Sequence, residues 1–150
     1  MTRLTRFSAA LVASLAFLAG GRHLSAATQE PAKAQKTILE RGFKFASAIP
    51  VKPHLADRSK AQYAILKAYI EANMIAEAEK RLDSVSDWRC ALLHAELAGY
   101  YAQHGNEEKA TLHLAHAAER RENITGWHAS WQKNRVSAYI AQAKAWLNQT

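Results

Sequence analysis

The sequence predicts an all-α protein of about six helices that follow an N-terminal signal peptide. Apolar residues recur at three- and four-residue steps through 33–150, and no stretch alternates long enough to predict a strand. A second observation is an internal repeat with a period of 32 residues. Four positions recur with identical gaps: Tyr69, Ala78, Leu82 and Val85 become Tyr101, Ala110, Leu114 and Ala117. Such a period is typical of stacked helix pairs, in which each pair buries its apolar face against its neighbours.

The first 27 residues have the pattern of a cleavable secretory signal. Arg3 and Arg6 precede an apolar run over 7–19, small residues occupy 25–27, and no acidic residue occurs before Glu30. The competing interpretation is a membrane anchor, but a spanning helix needs about 20 apolar residues. We therefore expect cleavage after residue 27 and export, to the periplasm of a bacterial envelope or out of the cell.

The composition of the remaining chain predicts one domain over 33–150. Cleavage would leave 123 residues, enough for a core, and the single cysteine excludes an internal disulfide. Charge is uneven, because 31–67 holds eight Lys or Arg and two acids, whereas 70–122 holds ten acids and six bases. A basic end of this kind could attract an anionic partner.

Helix boundaries follow from prolines, turn residues and caps. After a polar connector over 28–32, the pattern predicts helices over 33–49, 58–72, 75–84, 88–104, 107–121 and 130–148. Pro50 and Pro53 end the first helix and force an extended link. Asn73 and Gly105 suit the left-handed turns that end two later helices. The predicted N-terminal caps are Asp57 or Ser59, Asp87 and Asn106.

The repeated residues resemble tetratricopeptide repeats over about 58–121. In that family small residues let the paired helices approach closely, and Ala78 and Ala110 stand at those positions. The likeness departs from the family pattern at Gln62 and His94, where the family has tryptophan, and in the period of 32 rather than 34. The resemblance implies a short α-solenoid of antiparallel helix pairs. A generic helical bundle is the competing interpretation.

The resemblance also implies a binding surface. In tetratricopeptide proteins the first helix of each pair lines a concave wall. The residues that match this wall and could contact a partner are Lys60, Tyr63, Lys67, Gln103, Arg135 and Trp146. Lys60 and Lys67 lie two turns apart on one helix face, so with Arg135 they could engage a carboxylate or phosphate. Tyr63 and Trp146 could stack on the same partner. The competing interpretation is a solvated face.

Residues that could carry chemistry are few. His113, His116 and Glu119 follow one another at three-residue steps, a spacing that metal ligands use, but their predicted direction is outward. Cys90 is expected to be a small buried residue rather than a reactive thiolate. Three tryptophans at predicted helix starts are expected to pack in the core rather than form an aromatic box: Trp88, Trp127 and Trp131.

These observations predict an exported helical-repeat scaffold that binds a protein or peptide, with an acidic partner as one candidate. No catalytic residue, metal site or small-molecule cofactor is expected. Export disfavours nucleic acid, and any membrane association would be peripheral. Two alternatives stay open: a binder of polyanions or anionic membrane surfaces through the basic 33–67 region, and a metal-dependent enzyme.

Overall fold

The computed structural model describes the backbone of residues 24–148 and the side chains of residues 32–148. Over this range the chain forms six α-helices, one 3-10 turn and no strand, which confirms the all-α prediction. The helices are α1 (Leu24–Ala48), α2 (Val51–Glu71), α3 (Ile75–Glu79), α4 (Arg89–Gln103), α5 (Glu107–Glu122) and α6 (Ala129–Leu147), with the 3-10 turn at Leu82–Ser84. No helix of this described part is both long and apolar enough to cross a membrane.

The N-terminal part differs from the expected connector. Helix α1 begins at Leu24, so the residues predicted as a polar connector over 28–32 are helical. The charged and apolar parts of the predicted signal peptide, over 1–23, lie outside the described residues. The core described below lies within residues 35–148.

The turn chemistry of the sequence largely determines where helices end. Lys52, between the two prolines, has extended backbone angles (φ −111°, ψ 129°), as predicted for a residue before proline. Asn73 has φ 58° and Gly105 has φ 70°, so both adopt the left-handed conformation expected at these turns. The Asn106 side chain caps α5 by accepting a hydrogen bond from the backbone N–H of Lys109 at 3.1 Å.

Helix α4 is the centre of the fold, since it packs against α2, α5 and α6. Eleven of its fifteen residues are buried, including Leu93, Leu97 and Ala98 with no exposed area. The repeated alanines, Ala78 and Ala110, are also fully buried and belong to the same core cluster as α4. Their small size allows the close approach that the repeat pattern predicts.

Candidate functional site

A groove on one face of α2, α4 and α6 contains two cavities. The first, the Trp146 cavity, has a volume of about 320 Å³, and its lining includes Lys67, Gln103 and Trp146. The second, the Arg135 cavity, has a volume of about 330 Å³, and its lining includes Lys60, Tyr63 and Arg135. The structure therefore places all six residues selected from the sequence around two cavities on the same face.

A hydrogen bond between Tyr63 and Glu96 separates the two cavities. The Tyr63 hydroxyl, in the lining of the Arg135 cavity, donates to the Glu96 carboxylate, in the lining of the Trp146 cavity, at 2.6 Å. Burial raises the pKa of Glu96, and the hydrogen bond from Tyr63 acts in the opposite direction. Glu96 was not selected from the sequence, because a single acid on an apolar helix carries no signal of its partner.

The position of the Trp146 ring in the lining of its cavity requires a glycine on α4. A Cβ atom placed on Gly99 of α4 would lie 2.6 Å from the indole ring of Trp146 on α6. Such a distance is far inside ordinary van der Waals contact, so only glycine accommodates the ring where it lies. The sequence places Trp146 on the predicted wall, but its helical periodicity could not show that the ring touches Gly99.

The Arg135 cavity is cationic and aromatic. Lys60 and Arg135 form no ion pair with any carboxylate among the described residues. The Arg135 guanidinium lies over the rings of Trp88 and Trp131, at 6.0 and 5.7 Å from their centroids. Arg89, in the same lining, is instead paired with Asp87. This cavity can therefore accept a carboxylate or phosphate between its two cations.

The tryptophans correct one expectation. Trp127 is 96% exposed and Trp131 is 56% exposed, so the prediction that they pack in the core is wrong for both. Trp131 instead contacts Trp88 edge-on, with 5.5 Å between ring centroids. Both rings line the Arg135 cavity and also a third cavity of about 420 Å³ beside it. Helix starts in this chain thus present aromatic surface at one end of the groove.

The basic 33–67 region is partly engaged within the protein. Lys36 forms an ion pair with Glu77 at 2.7 Å, and the guanidinium of Arg58 donates to the carbonyl of Ile49 at 3.2 Å. The ion pair of Lys36 offsets one positive charge of this region, and the hydrogen bond of Arg58 restricts the direction of its guanidinium. The observation favours the groove over an extended basic surface as the binding site.

The histidines are arranged differently from the sequence prediction. His113 is buried rather than outward, because the buried stripe of α5 runs through Ala110, His113, Leu114 and Ala117. This stripe is wider than the two core positions on which the outward prediction depended. Glu119 is exposed, and the described residues do not bring it into a common cation site with His113 and His116.

Cys90 is buried, as the sequence predicted. It is 2% exposed, its sulfur donates weakly to the carbonyl of Leu82 at 3.5 Å, and burial raises the pKa of its thiol to about 11. A protonated, buried thiol is a poor nucleophile.

Comparison of the chain with protein-family models, curated proteins and solved structures gave no match. Function is therefore inferred from the groove. At one end the cavities offer Lys60 and Arg135, which have no acidic partner among the described residues, and at the other they offer aromatic side chains with the half-buried Glu96 carboxylate. Such a surface can hold an extended ligand that carries an anionic group and an apolar group a short distance apart.

Proposed function

We propose that this chain is an exported, tetratricopeptide-like scaffold that binds a peptide segment of a partner protein along the groove of α2, α4 and α6, without catalysis. The observation that carries the proposal is that six residues, chosen from the resemblance of the repeat and its extension to the last helix, surround two cavities on one face. The helix order supports it, because α2 and α4 are each followed by a second helix and α6 lies next to both members of the second pair.

The chemistry of the cavities indicates what such a peptide carries. Lys60 and Arg135 lack acidic partners among the described residues, so they would hold a side-chain or C-terminal carboxylate. Tyr100, Tyr139 and Trp146 would contact an apolar side chain in the Trp146 cavity. Recognition at two points also fixes the direction in which the peptide lies.

The decisive experiment compares charge reversals inside and outside the groove. The mature chain is used to recover its partner from the host envelope, and the partner's affinity is then measured by calorimetry. Lys60→Glu with Lys67→Glu should weaken binding at least about tenfold, which requires only about 1.4 kcal/mol. Added salt should weaken the wild type in the same direction. The helical circular dichroism should stay unchanged, since Lys60 is exposed and Lys67 only half-buried.

The matched control is Lys44→Glu with Lys144→Glu. Both residues are exposed and absent from the lining of the cavities, and the pair changes net charge by the same amount. Equal loss of affinity in both double variants would indicate general attraction to the basic chain, which is the polyanion alternative. Unchanged affinity in the groove variant would place the partner elsewhere.

Export has a separate test. The basic start, the apolar run over 7–19 and the small residues at 25–27 motivate it. Mass spectrometry of the protein from the host envelope should find an N-terminus at or near Thr28. Recovery of intact Met1 from membrane-embedded material would contradict a cleaved signal.

A further inference from the structure

A buried relay of polar side chains lies on the other side of α4, away from the groove residues. The Glu79 carboxylate accepts hydrogen bonds from the Tyr101 hydroxyl at 2.7 Å and from Lys109 at 3.2 Å. Its Oε1 atom also lies 3.4 Å from Nε2 of His113. The second ring nitrogen of His113, Nδ1, lies 3.0 Å from Nδ1 of His94.

The relay determines where each proton resides. Burial opposes ionisation of Glu79, but its three hydrogen-bond donors hold its pKa below the usual value, so it is an acceptor only. His113 must then donate from Nε2. His94 and His113 are each only 6% exposed, and burial disfavours the charged form of an imidazole, so we assign both rings as neutral. A neutral ring has one N–H, so Nδ1 of His113 accepts and Nδ1 of His94 donates.

This assignment leaves Nε2 of His94 as a bare lone pair. His94 is 6% exposed, and its Nε2 has no hydrogen-bond partner among the described residues. A buried acceptor without a partner is costly, and such atoms in native proteins usually indicate an unrecorded partner. The neutral imidazole nitrogen is also a common metal ligand, and its orientation by a hydrogen bond at the other nitrogen is the usual arrangement at metal sites.

Two further metal-binding side chains lie beside His94. A ring nitrogen of His94, the Cys90 sulfur and an Asp83 carboxylate oxygen all lie within 4.8 Å of one another. Since Nδ1 of His94 is engaged by His113, Nε2 is the nitrogen left for an ion. Ligand atoms on a tetrahedral zinc ion lie about 3.3–3.8 Å apart, so side-chain rotations that bring these atoms about 1 Å closer would close the site.

We propose that Asp83, Cys90 and His94 bind a zinc ion. A thiolate, an imidazole and a carboxylate are a typical zinc donor set, whereas Mg²⁺ and Ca²⁺ favour oxygen ligands alone. The Cys90 thiol loses its proton to solvent as the zinc–sulfur bond forms. A water would supply the fourth ligand.

The surroundings allow the ion to enter and hold it in place. The Asp83 side chain is 84% exposed, so solvent reaches the site from that side. Arg120 donates to Oδ1 of Asp83 at 2.6 Å, so Oδ2 is the oxygen of this carboxylate without a hydrogen bond among the described residues. The ion would tie the 3-10 turn, which carries Asp83, to α4, which carries the other two ligands. This site is independent of the groove, so its test is independent of peptide binding.

The test uses the purified chain with a phosphine reductant and zinc alone. After dialysis the wild type should retain about one equivalent of zinc per chain and unfold at a higher temperature than the chelator-treated protein. With Co²⁺ as the probe, a thiolate-to-cobalt charge-transfer band should report the bond to Cys90. Cys90→Ala should abolish that band, and Asp83→Asn should weaken zinc affinity while leaving the fold intact, because Asp83 is exposed.

Two more variants distinguish ligands and positioning residues. Loss of a residue that only orients a ligand lowers metal affinity by roughly 10–100-fold. Glu79→Gln should lower zinc affinity within that range and keep the cobalt band. His94→Gln removes a ligand, so it should lower zinc affinity by more. The control is His128→Gln, an exposed histidine outside the cluster, which should bind as the wild type does. The proposal would be overturned if Cys90→Ala and Asp83→Asn both retained as much zinc as the wild type. It would also be overturned if the wild type retained no zinc.

Discussion

The Tyr63 hydroxyl lies 2.6 Å from Oε1 of Glu96 and joins α2 to α4 in the middle of the groove. Both side chains are half-buried, and each lines a different cavity. The hydrogen bond therefore joins α2 to α4 between the two cavities and gives the Glu96 carboxylate a hydroxyl donor. A ligand that spans the groove would encounter a surface that is already ordered, which reduces the entropy cost of binding.

Tyr63→Phe should destabilise the protein. The change leaves the half-buried Glu96 carboxylate without its hydroxyl donor, and such a loss costs about 1–3 kcal/mol. Chemical denaturation followed by circular dichroism measures the free energy of unfolding. The matched control is Tyr139→Phe, since Tyr139 lines the Trp146 cavity and its hydroxyl forms no hydrogen bond among the described residues. Equal losses of stability in the two variants would show that the hydrogen bond to Glu96 contributes no more to stability than an unbonded hydroxyl does.

Ala110→Leu tests the close helix contact that the repeat predicts. Ala110 is fully buried in the main core cluster, so the larger side chain should overpack it at a cost of about 1–3 kcal/mol. Lys109 is unsuitable as the control, because it pairs with Glu79 and Tyr101. Thr111→Leu is the better control, since Thr111 is exposed and its change should stay within about 0.5 kcal/mol. Thermal unfolding that is the same for both variants would place residue 110 outside the helix contact.

The sequence predicted the helices well because local signals specify them. Asn73, Gly105 and Asn106 each adopt the turn or cap that their side chains favour, independently of distant residues. The start of α1 was missed, since a polar stretch over 28–32 has no proline or glycine to prevent a helix.

Helical periodicity predicted which residues of the candidate site share a helix face, but not which residues contact one another between helices. Lys60, Tyr63 and Lys67 share a helix face by spacing alone, so their place in the groove followed from the pattern. The pairing of Tyr63 with Glu96 and the contact of Trp146 with Gly99 join helices about 30 to 50 residues apart. A single sequence holds no signal for such tertiary pairs. The burial of His113 was missed for a related reason, because the width of a buried stripe depends on how many helices cover it.

Gly99→Ala should disturb the groove. The added methyl group would lie 2.6 Å from the Trp146 ring, so the ring must move. Overpacking costs about 1–3 kcal/mol, and the better helix propensity of alanine recovers at most about 1 kcal/mol. We expect lower stability and weaker peptide binding. Gly42→Ala in α1 is the control, because its nearest side-chain atom would be 3.4 Å away, and this variant should be neutral or slightly more stable.

The buried histidines predict that stability falls as the solution is made acidic. In the unfolded chain His94 takes up a proton near pH 6.5, whereas in the folded protein its pKa is lowered to about 3 by burial, with His113, Arg120 and His116 adding to the effect. Between these values the unfolded state binds more protons, so the free energy of unfolding decreases as pH falls through this window. The slope is up to about 1.4 kcal/mol per pH unit for each such group. His113, whose pKa is also lowered by burial, contributes in the same direction.

The measurement is denaturant unfolding between pH 7 and pH 5, with a chelator present so that metal binding adds no pH dependence of its own. His94→Gln should flatten the decline, because the residue that takes up the proton on unfolding is gone. His128→Gln should keep the wild-type slope, since His128 is exposed in the folded protein. Carboxylates that titrate at lower pH act equally in all three proteins, so the difference between slopes reports the loss of His94 and of its hydrogen bond to His113. Parallel slopes for the wild type and His94→Gln would mean that His94 takes up its proton in the folded protein at the same pH as in the unfolded chain, and the proton assignment along Glu79, His113 and His94 would then be wrong.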